Sequence, residues 1–305
     1  MRYIRSAVLV LLAASSARGL DIVSTYDNST HTWTAQEIAV IEHAILEWEA
    51  TINVDETVDI SFGWDHGGSS YAAVTSVWVN PSPPAGTDLH PWTPEVHHWM
   101  NFNVDILGSF YIDPDPTTDN ETINGYDMLY VARHELGHAL GHLSGIWYDD
   151  IWLSHVDRWE SEITGNTFDL GGLNVPMSRG DHGHVNDSSE LMYPIVYWGA
   201  RLDISETIRA MLNKAHGYPM YPDFNKDLTI DTIDLTILAT YFGQAGMSWD
   251  DGDANFDGVI DTVDLTILAT EFGQSWASAG SIPEPTSLTL LAVVGASLLR
   301  RRRSA

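Results

Sequence analysis

The decamer Arg133-His134-Glu135-Leu136-Gly137-His138-Ala139-Leu140-Gly141-His142 decides how this chain reads. On a helix, residues four apart share a face, so the imidazoles of His134 and His138 can converge on one metal ion. Glu135 sits one step round, near an open coordination position, where a carboxylate can take a proton from water. The run just before it, from Met128 to Ala132, is apolar enough to be a buried helix start. Packing alone does not call for two histidines and a glutamate on such a helix.

Gly141 extends the pattern to H-E-x-x-H-x-x-G, in which glycine ends the helix and turns the chain back towards the metal. His134 to Gly141 resembles the metzincin class of zinc peptidases, and most closely the matrixins. That resemblance implies a third histidine three residues after the glycine, where this chain has Ser144. His142 is a poor substitute. On a continuing helix it would stand about 12 Å along the axis from His134, whereas ligands at about 2.1 Å from one zinc lie close together.

Downstream, His184-Val-Asn-Asp-Ser-Ser-Glu-Leu-Met192-Tyr-Pro is similar to a matrixin string. In that string the third histidine precedes the methionine of a Leu-Met-Tyr-Pro turn by eight residues, the separation of His184 and Met192 here. Asp187 falls where the family has Asp. The resemblance therefore implies zinc on His134, His138 and His184, Glu135 as the catalytic base and Met192 as the apolar floor of the site. Residues 143–183 become an insertion of the kind leishmanolysin-like metzincins carry. His182 is the reserve ligand, with His142 and His155 behind it.

The N-terminus carries Arg2 and Arg5, an apolar run from Ala7 to Ala14, then small residues, the pattern of a secretory signal peptide cleaved after Gly19. Cysteine is absent, so an exported fold must rely on its core and on metals rather than disulfides. A thiol latch of the matrixin kind is ruled out as well. The 14 Lys plus Arg face 42 Asp plus Glu, for a net charge of −28, and no Lys or Arg occurs between Arg18 and Arg133. Such a surface repels nucleic acid and suits a salt- and calcium-containing exterior.

Residues 33–51 read as an amphipathic helix, with Ile38, Ile41, Ala44, Ile45 and Trp48 at helical spacing and Thr34 and Glu37 placed as a capping box. Residues 58–64 and 74–79 alternate as strands do, and 96–105 is a third or edge strand. His90, His97 and His98 could ligate a second, structural zinc, but they read rather as scattered surface histidines. The aspartates from Asp113 to Asp119 read as a solvated loop rather than a calcium site. Aromatics in 147–181, Trp159 among them, read as filling a small core of their own, and residues 195–198 as walling the pocket for the side chain after the scissile bond. Ser205 caps a closing helix that ends at Gly217.

From Pro222 the composition changes. Asp223, Asn225, Asp227, Thr229, Asp231 and Asp234 recur 30 residues later as Asp253, Asn255, Asp257, Val259, Asp261 and Asp264. Oxygens at loop positions 1, 3, 5, 7, 9 and 12 are the calcium-ligand spacing of an EF-hand loop, position 7 contributing its carbonyl. Leu228 replaces the glycine that Gly258 supplies in the second loop, so the first turn should be strained. Each loop leads into Leu-Thr-Ile-Leu-Ala-Thr-x-Phe-Gly. This resembles a dockerin module, which implies two calcium ions and a cohesin-like or other docking partner. The tail, Ile282-Pro283-Glu284-Pro285, an apolar run from Leu288 to Leu299 and Arg300 to Arg303, resembles the PEP-CTERM sorting signal of Gram-negative bacteria. That implies an exosortase-type processing enzyme and membrane contact through the tail.

The expected architecture is α+β. A zincin-type domain over 20–221 (mixed twisted sheet, active-site helix, Met-turn, closing helix) precedes a small all-α dockerin module at 222–275, between a signal peptide at 1–19 and a linker and sorting tail at 276–305. The expected function is that of an exported zinc endopeptidase acting on polypeptides, secreted or held in the extracellular matrix. A catalytically inactive matrix scaffold working through its dockerin is the alternative, and a zincin acting on something other than peptides is a third.

Overall fold

The computed structural model describes residues 19–68, 71–79, 90–94, 96–118, 121–141, 158–170 and 173–276. The expected signal peptide, His142, His155 and the sorting tail lie outside them.

Helix α1 (Ala35–Glu49) begins where Thr34 and Glu37 cap each other reciprocally: the Thr34 hydroxyl accepts from the Glu37 amide at 3.2 Å, and the Glu37 carboxylate accepts from the Thr34 amide at 2.6 Å. Its buried face carries Val40, Ile41, Ala44, Ile45 and Trp48. This face rests on a four-stranded sheet of order β1-β2-β4-β3, built from β1 (Asp21–Tyr26), β2 (Thr57–Asp65), β3 (Ala73–Val79) and β4 (Val96–Asn103). The first three in spatial order run parallel, while β3 is antiparallel to β4 at the edge. Parallel neighbours need a crossover, which α1 supplies between β1 and β2. Strand β4 is therefore internal, and β3 takes the edge. Alternate residues Val58, Ile60, Phe62 and Trp64 of β2 and Val96, His98, Met100 and Phe102 of β4 are buried.

Helix α2 (Met128–Leu140) is almost wholly buried. Asp127 caps its start, accepting from the Leu129 amide at 3.2 Å, and Gly141 ends it at φ 136. A three-stranded sheet follows: β7 (Thr167–Asp169), β8 (Asn174–Ser178) and β9 (Asp181–Val185), after the two-residue pair β5 (Phe110–Tyr111) and β6 (Tyr126–Asp127). Trp159 and Phe168 of this region belong to the main core rather than to one of their own. Helix α3 (Glu206–His216) starts at Ser205, whose hydroxyl accepts from the Ile208 amide, and stops at Gly217 with φ 70. His216 Nε2 stands 3.2 Å from the Gly141 carbonyl, tying the ends of α2 and α3 together.

The expected solvated loop holds at Asp115, which is exposed, and fails at Asp113. Asp113 is fully buried, its carboxylate 2.5 Å from Arg201 Nη2, and Arg201 Nε bonds the equally buried Asp127 at 2.5 Å. One guanidinium thus neutralises two carboxylates that would otherwise be stranded away from water.

The last described segment has its own core of Tyr221, Phe224, Ile230, Leu238, Trp249, Ala254, Ile260 and Leu268. Its helices α4 (Thr232–Tyr241) and α5 (Thr262–Glu271) are related by repeated pairings. Gly243 N–H donates to Ile260 O at 2.7 Å, and Gly273 N–H to Ile230 O at 2.8 Å, so each helix end closes on the other repeat's loop. Among the described residues, no helix is long and apolar enough to cross a membrane.

Candidate metal centre

His134 and His138 lie one turn apart on α2, and the hairpin β8–β9 delivers His184 opposite them. His138 Nε2 stands 3.2 Å from both His134 Nε2 and His184 Nε2. Three nitrogens held at about 2.1 Å from one tetrahedral metal are about 3.4 Å apart, so this spacing fits zinc without rearrangement. The outer nitrogens are committed elsewhere. His134 Nδ1 donates to the Leu191 carbonyl at 2.8 Å, and His184 Nδ1 to the Asp181 carboxylate at 2.7 Å, which turns each Nε2 towards the shared centre. Burial first, then the charge of His184, pulls the His134 imidazole down to about 4, which keeps it neutral.

Glu135 is buried beside His134. Burial pushes its carboxyl up to about 7, against the pull of hydrogen bonds from Thr75 and of the charge on His184. Thr75, on edge strand β3, also donates its hydroxyl to the Glu135 carbonyl at 2.9 Å, pinning that strand to the helix. Met192 is fully buried, and its sulfur lies so close under Gly137 that a Cβ there would meet it at 2.7 Å. Ile195, Tyr197 and Trp198 follow on the surface, 52%, 44% and 56% exposed.

The reserve ligand stays apart, since His182 Nδ1 bonds Glu160 at 2.8 Å. His98 is buried rather than a surface histidine, with Nε2 2.8 Å from the Pro91 carbonyl, and His90 stacks on Trp92 at 5.1 Å. Among the described residues, His134, His138 and His184 are the grouping of three acidic or histidine ligand atoms within 4.8 Å of one another; His90, His97 and His98 form none. Asp181 and Thr75 carried no local signal in the sequence. Asp181 becomes a partner of His184 through the turn that opens β9, and Thr75 meets Glu135 across 60 residues of chain.

In the C-terminal loops, Asp223, Asp234, Asp253 and Asp264 are all buried. The Asp223 carboxylate accepts from the Asp227 and Leu228 amides at 3.2 and 2.9 Å, and Asp253 accepts from Asp257 and Gly258 at 3.2 and 2.7 Å. Asp234 accepts from Phe224, Asn225 and Asp231 amides, while Asp231 and Asp261 cap their helices. Burial first, and then the Asp234 charge, pushes the Asp223 carboxyl up to about 7. Asn225 Oδ1, at loop position 3, is buried with no hydrogen-bond donor. Crowded buried carboxylates and an orphaned amide oxygen are a donor set that fits a divalent cation. Thr229 and Val259 fill position 7 with their amides bonded to Asp227 and Asp257. Leu228 adopts φ 64 where Gly258 has φ 80, a left-handed conformation that leucine adopts with strain.

Residues 221–273 match the family described as Dockerin type I domain. The chain is also similar to a solved structure described as a type II cohesin-dockerin domain from Bacteroides cellolosolvens, at 42% identity, over 18% of this chain and 87% of that one, with a TM-score of 0.17. No curated protein matches the chain. Residues 221–273, with their two acidic loops and paired helices, are a dockerin type I domain.

Proposed function

We propose that residues 20–221 are an exported zinc-dependent endopeptidase of the metzincin clan, and that the dockerin binds calcium through the two loops and ties the enzyme to a cohesin-like partner. The observation that carries the reading is the convergence of three imidazole Nε2 atoms beside a buried glutamate. His134, His138 and His184 would hold the zinc, with Asp181 and the Leu191 carbonyl fixing two of the rings. Bound there, zinc supplies Lewis acidity, lowering the pKa of water and polarising the scissile carbonyl. The Glu135 carboxylate holds the proton released as water attacks and returns it to the leaving amide nitrogen.

Strand β3 is the substrate rail in this reading. It is the antiparallel edge of the sheet, and Thr75 anchors it to α2 beside Glu135. An extended polypeptide can add to such an edge through main-chain hydrogen bonds. The exposed Ile195, Tyr197 and Trp198 lie next in the chain after the Met192 turn, where they can wall the pocket for the following side chain. The N-terminal export pattern and the tail's resemblance to a PEP-CTERM signal support an activity outside the inner membrane of a Gram-negative bacterium, with an exosortase-type enzyme processing the tail.

The test is zinc content and casein cleavage by the full chain and its His184→Ala, His142→Ala and Glu135→Ala variants. Zinc and activity lost in His184→Ala but not in His142→Ala, with Glu135→Ala retaining zinc and losing cleavage, is the expected result. A second reading, a non-catalytic scaffold, is favoured by one observation: the family match covers the dockerin alone. Absence of zinc from the wild-type chain would decide for it.

A further inference from the structure

The side of the dockerin that bears its calcium loops is packed against the three-histidine unit. Arg209 of α3 is buried, and its guanidinium carbon lies 4.5 Å from the ring centre of Trp249. Trp249 is fully buried in the 3-10 turn Trp249–Asp251 that joins the two repeats, and its amide donates to Glu206 Oε1 at 3.2 Å. The same indole packs on Phe224, position 2 of the first loop, at 5.3 Å between rings. In the second loop Phe256, position 4, packs against both cores at once. Lys226 and Leu228 of the first loop line one cavity with His43, Glu47 and Arg133, the last adjacent to His134. Main-chain bonds complete the junction: Asn53 N–H to Pro219 O at 2.8 Å, and Tyr221 N–H to Thr51 O at 3.1 Å.

The contact side chains Phe224, Lys226, Leu228 and Phe256 therefore stand between the residues assigned as calcium ligands. Without a cation, the buried Asp223 and Asp234, and likewise Asp253 and Asp264, are left as crowded like charges, and the loops relax. The surface they present to α3 relaxes with them. The outer faces of α4 and α5, with Ile233, Leu235 and Phe242 repeated as Val263, Leu265 and Phe272, take no part in the junction and stay exposed.

We propose that this junction is a calcium-dependent intramolecular interface, through which cation binding in the dockerin loops stabilises α3 and the α1–β2 connection of the N-terminal unit. A cation that binds only the folded loops stabilises every element whose packing requires them. The proposal rests on the calcium reading of the loops and is independent of any peptidase activity.

Hydrogen exchange of the full chain, stripped of metals and resupplied with zinc, tests it with and without saturating calcium. Calcium should slow exchange of peptides spanning 223–264, and also of 205–217 and 50–54, by about tenfold or more. In Arg209→Met and in Phe256→Asn, which removes the contact while tolerating the left-handed backbone at φ 60, the loop peptides should keep their calcium response. Peptides 205–217 and 50–54 should lose theirs. Slowing confined to 223–264 in the wild type overturns the coupling while leaving calcium binding intact. An undiminished response of 205–217 in both variants overturns it too. Calcium without effect anywhere removes the cation reading itself.

Discussion

His184 shows what a residue-scale reading reaches and where it stops. His134, Glu135 and His138 were legible because one helix repeats every turn, and His184 because its distance to Met192 is set by a local turn. Asp181 was not, since its role depends on how the β8–β9 hairpin is folded. Its carboxylate holds His184 Nδ1 at 2.7 Å, so Asp181→Asn should lower zinc affinity about 10–100-fold, read by chelator competition on the full chain. Gly137 is equally silent in the sequence. A methyl there would meet the Met192 sulfur at 2.7 Å and Trp48 Cζ2 at 3.3 Å. Overpacking a filled core costs about 1–3 kcal/mol, while alanine regains only about 1 kcal/mol of helix propensity. Gly137→Ala should therefore lower the urea midpoint of the full chain, and a midpoint equal to wild type would show that Met192 yields freely.

Among the elements, α1, α3 and the strands β2 and β3 follow from periodicity and capping, and appear within a residue or two of where spacing predicts them. Strand β1 and the internal position of β4 were not legible, because strand order is a property of the crossovers and not of any one strand's alternation. Asp113 was misread for a related reason. It read as solvated because its cation, Arg201, lies 88 residues away; the same guanidinium reaches Asp127, 74 residues from it. With both carboxylates fully buried, Arg201→Met would strand two charges and leave the α2 cap uncompensated. Breaking a buried pair in this way costs about 3–5 kcal/mol. The loss should appear as a lower urea midpoint of the full chain. A change under about 1 kcal/mol would mean that water reaches the pair.

For the whole molecule, a net charge of −28 makes the state of its buried carboxylates a main lever on stability. Two neighbours on α1 respond in opposite directions. Burial would raise Glu47, but the Arg133 guanidinium beside it wins and holds it down at about 2. Its contribution is present above the unfolded value of about 4.3 and is lost as pH falls through about 2. Glu49 meets no cation among the described residues. Burial first, with Asp21 and Glu42 adding repulsion against the Ile22 amide bond, pushes it up to about 7. The folded chain then binds the proton more tightly than the unfolded one, so the stability Glu49 contributes is complete below about pH 4 and is lost as pH rises through about 7. Glu49→Gln keeps an oxygen for the Ile22 N–H, at 2.7 Å in the wild type, and never ionises. Its stability relative to wild type should therefore be level at acid pH and rise by about 1 kcal/mol above pH 7, the full shift being discounted for partial exposure. Urea unfolding of both chains across that range, at fixed zinc and calcium, measures the difference. A gap that stays constant with pH would mean that Glu49 is ionised in the folded protein and that its neighbourhood is wetter than its burial implies.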